Sequence, residues 1–195
     1  WANLQSTHIN LPFDGDEEFA RLHAAIRLLL PILPALAASS PILDGHATGT
    51  LDNRLAVYKS NARRVPSVSG KVIPEPVFTH ADYQSRILDR IYADLAPLDP
   101  GGLLRHEWAN ARGAIARFER NAIEIRVLDV QECPAADIAL CAGITAVLKW
   151  LVAESPATLP QQQAWQVDPL AKLLDGVIRH ADQSGIENTG YLETL

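Results

Sequence analysis

Asn121–Pro134 reads NAIEIRVLDVQECP, and the alternation inside it decides the fold. In an extended chain successive side chains point to opposite faces, so Ile123, Ile125 and Val127 share one face and Glu124, Arg126 and Leu128 the other. That is the pattern of an antiparallel strand with one face on a core. Two residues along one pleated surface hold the Glu124 carboxylate and the Arg126 guanidinium about 7 Å apart. The charged face reads either as a site or as the solvated outside of an ordinary sheet.

A second stretch, Gln5–Phe13 (QSTHINLPF), alternates in the same way. Thr7, Ile9 and Leu11 take one parity, and Ser6, His8 and Asn10 the other. If the two strands pair with polar faces aligned, His8, Asn10, Glu124 and Arg126 come together. That set is enough for a metal ion beside an anionic group. Between them, Ser39–Arg54 (SSPILDGHATGTLDNR) is rich in turn formers and lacks a sustained period, which reads as a loop entering a helix near Asp52.

The other segments supply helices. A turn at Asp14-Gly15 leads into a helix from about Asp16, with Glu17 completing a capping box on Asp14. Its apolar stripe is Phe19, Leu22, Ile26, Leu29 and Leu33, with a break expected near Leu30 because Pro31 removes a helical hydrogen bond. His23, beside that stripe, reads as a packing or helix-surface residue. His80–Ala96 repeats apolar residues every four positions at Tyr83, Ile87, Ile91 and Leu95. Pro134 opens a helix to about Glu154, and a last helix is expected over about 161–183. The intervening SVSGKVIPEPVF, broken by Gly70, Pro74 and Pro76, cannot be a central strand and reads as a flexible cover.

Composition limits the partners. Seventeen basic against 23 acidic residues give a net charge of −6, which provides no electrostatic reason for nucleic acid or an anionic membrane as partner. The nearly apolar run Leu28–Ala38 is interrupted by two prolines and is shorter than the ~20 residues of a membrane span, so no membrane partner and a cytoplasmic location are expected. Cys133 and Cys141 stand eight residues apart, about 12 Å along a helix, too far for a disulfide, so two free thiols are expected. Neither a GxxxxGKS/T loop nor a GxGxxG turn is present, which excludes nucleotide binding by those two routes. The chain starts at Trp1 and contains no methionine, which suggests a piece of a longer protein.

IEIRVLD, QSTHINLPF and SPILDGHATGTLDNR, in their order and spacing, resemble the carboxylate-amine ligase family that includes bacterial and plant types of glutamate–cysteine ligase. The likeness covers about residues 1–140. It implies an α+β fold: a curved antiparallel sheet with helices packed on one side, part of a glutamine-synthetase-like scaffold. The 195 residues would be one domain, the C-terminal half of a larger catalytic domain. The resemblance also implies ATP and Mg2+, with an amino-acid carboxylate and an amine as small-molecule substrates.

By the same resemblance His8 and Glu124 are metal ligands and Arg126 and Glu124 catalytic residues, Arg126 sitting on the transferred phosphate. Arg54, Arg64, Arg117 and Asn10 would face nucleotide or substrate. Arg64 belongs to a basic run with Lys59, Arg63 and Lys71 that suits a polyphosphate. The family carries an acidic cluster on earlier strands, and nothing comparable precedes His8, so self-association or a missing N-terminal segment is expected. The alternative is a non-catalytic binding domain that keeps the ligase scaffold.

Overall fold

The computed structural model describes residues 5–195. In chain order the elements are β1 (Ser6–Pro12), α1 (Gly15–Leu29), α2 (Leu33–Ala37), the small hairpin β2 (Ile42–Leu43) and β3 (His46–Ala47), and α3 (Asn53–Asn61). There follow α4 (His80–Tyr83), a π-helical turn Gln84–Leu88, α5 (Asp89–Leu95), β4 (Ala114–Arg117) and β5 (Ala122–Asp129). The chain closes with α6 (Pro134–Val152), α7 (Leu159–Gln163), α8 (Val167–His180) and α9 (Thr189–Thr194). Helices and small antiparallel sheets are mixed, as the α+β reading expects. The main sheet has the order β1-β5-β4, so the stretch that opened the sequence reading is its central strand.

Ile9 pairs with Ile125 and Leu11 with Ile123, which puts the apolar parities of β1 and β5 on one face. Ile9, Ile123, Ile125 and Val127 lie in the hydrophobic core together with Phe19, Ile26 and Leu30. The helix over 80–95 forms with one π turn, and its stripe Tyr83, Ile87, Ile91 and Leu95 is buried. Where Pro31 was expected to break α1, a 3-10 turn over Leu30–Ile32 separates it from α2.

The register of β1 on β5 carries a bulge. Thr7 pairs with Leu128 and Ile9 with Ile125, so two steps along β1 correspond to three along β5. A bulge of this kind reverses the parity of everything beyond it. Beyond it Asp129 pairs with Ser6, not with a core residue of β1.

Several expectations are corrected. The Asp14 side chain makes no capping bond; Asp14 N–H instead donates to Glu18 Oε2 at 2.7 Å, so the carboxylate four residues on closes the turn, not Glu17. The expected helix over 161–183 is two helices, because Pro169 has no N–H to give to a continuous ladder and fits only the first turn of α8. The segment read as a flexible cover is core: Val72, Ile73 and Val77 are buried, Pro74 C=O accepts from Arg27 Nε at 2.8 Å, and Glu75 takes a two-pronged pair from Arg112 at 2.5 and 2.6 Å. The basic run disperses, since Lys59 pairs with Asp175 and Lys71 with Asp168 on α8. Both cysteines are free, as expected.

Two helical stretches, Gly15–Ala37 and Pro134–Val152, are long and apolar enough to cross a membrane, where the sequence reading found none. The first is mostly buried as a core helix. The second, α6, buries only Ile144, Leu148 and Leu151, and leaves Ile138 68% and Trp150 49% exposed.

Gly113 joins the 110s segment to this core. A Cβ there would lie 2.6 Å from Val127 Cγ1 and 2.9 Å from Val72 Cγ1, closer than side-chain atoms pack. Gly113→Ala is therefore expected to cost about 1–3 kcal/mol of stability, the range for overpacking, measured by urea unfolding. An unchanged midpoint would mean that the strand and the Val72 segment separate at no cost.

Candidate active site

The polar face of the sheet is organised by one carboxylate. Glu124 pairs in register with Asn10 on β1 and Ile115 on β4, and is 8% exposed. His8 Nδ1 lies 2.8 Å from Glu124 Oε1, Arg126 Nε 3.0 Å from the same oxygen, and Arg117 Nη1 3.2 Å from Oε2. His8 Nε2 lies 2.8 Å from Ser6 Oγ, so the imidazole is held between the carboxylate on one side and the serine hydroxyl on the other. The hydrogen bond from His8, aided by the bond and charge of Arg126, outweighs burial and holds the Glu124 carboxyl down at about 2. The side chain is an anion at any ordinary pH.

Glu124 and Arg126 thus touch, although the strand repeat alone sets them about 7 Å apart. Their flexible side chains close that gap once a partially dehydrated carboxylate needs partners. Arg126 Nη1 also donates to Asn110 C=O at 3.4 Å. Asn110 is fixed in turn by a 2.8 Å bond from its Nδ2 to Tyr83 Oη and by Arg112.

Arg54 is placed by a different carboxylate. Asp52 caps α3 by accepting from Leu55 N–H at 2.7 Å, which delivers the next turn to the sheet. Arg54 Nε donates to Asp129 Oδ1 in a pair whose side chains are 5% and 3% exposed, and Nη1 donates to Arg126 C=O at 3.3 Å. Asp129 Oδ2 accepts from Ser39 N–H at 2.9 Å and Ser40 Oγ at 2.7 Å, so one carboxylate pins both ends of the 39–54 loop. Burial and the neighbouring charge of Asp129 push the Asp52 carboxyl up to about 7.

Arg54 and Arg126 line one cavity of about 450 Å³ together with Ser6, His8 and Tyr58. The structure therefore brings together His8, Glu124, Arg126, Arg117 and Arg54. Asn10 is across the ladder from Glu124 with an exposed side chain, and Arg64 lies on the exposed turn after α3, outside the cavity lining. Sequence reasoning placed none of Asp129, Asn110 and Arg112 in the site. The signal for Asp129 was the bulge, which no periodicity shows.

As a metal site the arrangement is lean. His8 and Glu124 are two donors, and no third His, Cys, Asp or Glu joins them to form a metal-holding group among the described residues. Both Glu124 oxygens already accept hydrogen bonds from cationic or imidazole groups. Magnesium prefers six oxygen ligands, so these side chains alone do not fit a magnesium shell.

Away from the site, His23 is fully buried, with Nδ1 donating to Val77 C=O at 2.8 Å. Burial, reinforced by the charge of Arg27, lowers it to about 3. The unfolded chain takes up this proton below about 6.5 and the folded chain does not, so the stability due to neutral His23 is lost as pH falls from 6.5 towards 3. Asp52 works in the opposite direction: its stability cost shrinks as pH falls below about 7. The clean measurement is a difference. The melting-temperature gap between the wild type and His23→Gln is expected to narrow steadily from pH 7 to pH 4; a gap independent of pH would contradict a buried neutral imidazole.

Comparison with known proteins now fixes the class. The model of glutamate–cysteine ligase family 2 matches residues 4–187, and the chain belongs to that family. An uncharacterized protein of Archaeoglobus fulgidus is 42% identical over 156 residues, which cover 80% of this chain and 42% of that protein. A Paenarthrobacter aurescens protein named "Putative glutamate–cysteine ligase 2-1" is 27% identical over 77% of this chain and 36% of its own length. An Ectopseudomonas mendocina protein named "Putative glutamate–cysteine ligase 2" is 28% identical over 88% of this chain and 40% of its own. The chain thus spans about two fifths of each of these relatives.

Proposed function

We propose that this chain carries part of the active site of an ATP-dependent carboxylate-amine ligase built on a glutamine-synthetase-like scaffold and working in the cytoplasm. The observation that carries the reading is the Glu124 centre, a buried carboxylate clasped by Arg117 and by His8 and Arg126, two residues that also line a cavity, in a member of the glutamate–cysteine ligase family. In the proposed reaction a substrate carboxylate oxygen attacks the γ-phosphorus of ATP and ADP leaves with the bonding pair. The amine nitrogen then attacks the acyl carbon, phosphate departs, and the nitrogen gives up a proton.

Charge moves onto phosphate oxygens in both steps, and the chain's own contribution is to hold and balance it. Arg126 faces the transferred phosphate, because its planar fork meets two oxygens at once. Glu124 fixes the direction of that fork and of Arg117, while His8 and Asn10 border the same face. Magnesium that neutralises phosphate charge would take its ligands from outside the Glu124 centre, whose carboxylate oxygens are already engaged.

The test is phosphate release by the full product of the native gene, given ATP, magnesium, glutamate and an amine. Release that requires both glutamate and amine is expected. ATP binding with no turnover would favour the other reading, a binding domain that keeps the scaffold. The 195 residues on their own are expected to form no amide and to self-associate, or to pair with a further segment, through β1, whose second edge has no partner strand among the described residues. Amide product from a strict monomer in light scattering would contradict this.

A further inference from the structure

Both arginines that grip Glu124 are met from a second side by one short turn. The 3-10 turn Glu107–Ala109 packs against β4. Asn110, the residue after it, accepts from Arg126 Nη1 at 3.4 Å, and Glu107, the residue that opens it, sets its Oε2 3.9 Å from Arg117 Nε. The other oxygen of Glu107 accepts from Phe118 N–H at 2.8 Å, which fixes the carboxylate to the end of β4. The Glu107 and Arg117 side chains are only 12% and 14% exposed. Neither Glu107 Oε2 nor Arg117 Nε has a hydrogen-bond partner among the described residues, so the two groups meet by charge, where water screens little.

Two guanidinium groups on one carboxylate repel each other. Arg117 and Arg126 both lie on Glu124, and with no further anion nearby each would compete for the same two oxygens. Glu107 supplies that anion on the β4 side, and among the described residues Arg117 is the cation it pairs with. Arg117 is thereby spread between two carboxylates, Nη1 on Glu124 Oε2 and Nε towards Glu107, which leaves Glu124 Oε1 to His8 and Arg126.

Building on the ligase reading, we infer that Glu107 is a positioning residue: it holds Arg117 towards β4 and so fixes the angle at which Glu124 presents Arg126 to the transferred phosphate. Glu107 itself touches no reacting group and acts through the two arginines. A purely structural role gives a different result on substitution. If Glu107 served only as the acceptor of Phe118 N–H, glutamine would replace it without loss, because the amide oxygen keeps that bond.

The test uses the full product of the native gene with ATP, magnesium, glutamate and an amine. Glu107→Gln is expected to lower kcat about tenfold and to hold KM for glutamate within about twofold, with the melting temperature unchanged. Glu107→Asp, which keeps the charge, should return kcat to within about threefold of the wild type. A second readout needs no turnover. With arginine labelled with nitrogen-15, the Nε–H resonance of Arg117, identified by its disappearance in Arg117→Lys, should move in Glu107→Gln. A resonance that Glu107→Gln leaves in place, or a kcat equal to the wild type in that variant, would overturn the inference. So would a loss of kcat that follows a fall in melting temperature and is not relieved by aspartate, the mark of a backbone cap. A moved resonance in a gene product that releases no phosphate under any condition would sink the ligase reading and leave Glu107 as the residue that holds Arg117.

Discussion

Asp129→Ala is expected to lower the stability of the chain by about 3–5 kcal/mol, the range for breaking a buried ion pair from one side. The size follows from what remains. Arg54 would keep a buried guanidinium with no counter-charge, and Ser39 N–H and Ser40 Oγ would lose their acceptor. The hairpin and loop of residues 39–54 should detach with it, since that carboxylate holds both ends. Arg54→Met combined with Asp129→Ala should recover much of the loss, because a buried pair replaced by apolar groups of similar volume is often neutral. Urea unfolding of the two variants measures this. A loss under 1 kcal/mol for Asp129→Ala alone would show that the loop is held by other contacts, such as Leu51 N–H on Arg179 C=O at 3.1 Å.

Arg126→Lys in the active gene product is expected to reduce kcat about 100-fold, or about 2.7 kcal/mol of transition-state stabilisation, with stability changed by less than 1 kcal/mol. Lysine keeps the charge and reaches Glu124, but it cannot bind two phosphate oxygens in one plane. Glu124→Gln should show the same separation of activity from stability, because the amide keeps the shape and removes the charge that aims Arg126 and Arg117. Steady-state kinetics beside thermal melts make the comparison. A lysine variant within twofold of the wild type would assign Arg126 to the structural support of Glu124.

The two strands that build the site were legible because their alternation is strong: IEIRV and THINL each offer one apolar parity, and a shared core forces the polar parities together. The approach of His8 to Glu124 follows from that pairing. The role of Asp129 was not legible, since its place opposite Ser6 depends on the bulge between Thr7 and Ile9, and a bulge leaves no trace in hydrophobic periodicity. The segment around Val72 and Ile73 was misread for a related reason. Its prolines forbid a central strand, but burial needs only partners for the backbone, and Arg27 on Pro74 C=O, Arg112 on Ser67 C=O and Gly113 N–H on Val72 C=O supply them. The charged run from Lys59 to Lys71 looked like a phosphate clamp because sequence does not show that α8 sets Asp168 and Asp175 beside its two lysines.

Proximity of Glu124, Arg126 and Arg117 gains its meaning from the acyl phosphate that these groups are proposed to serve. That intermediate leaves an isotopic record, because the carboxylate oxygen that attacks phosphorus departs later with the phosphate. The direct test is to supply the active gene product with ATP, magnesium, an amine and glutamate labelled with oxygen-18 in its side-chain carboxylate, and to weigh the released phosphate by mass spectrometry. One labelled oxygen in each phosphate formed with amide is predicted. Amide formed alongside phosphate that carries no label would contradict the account.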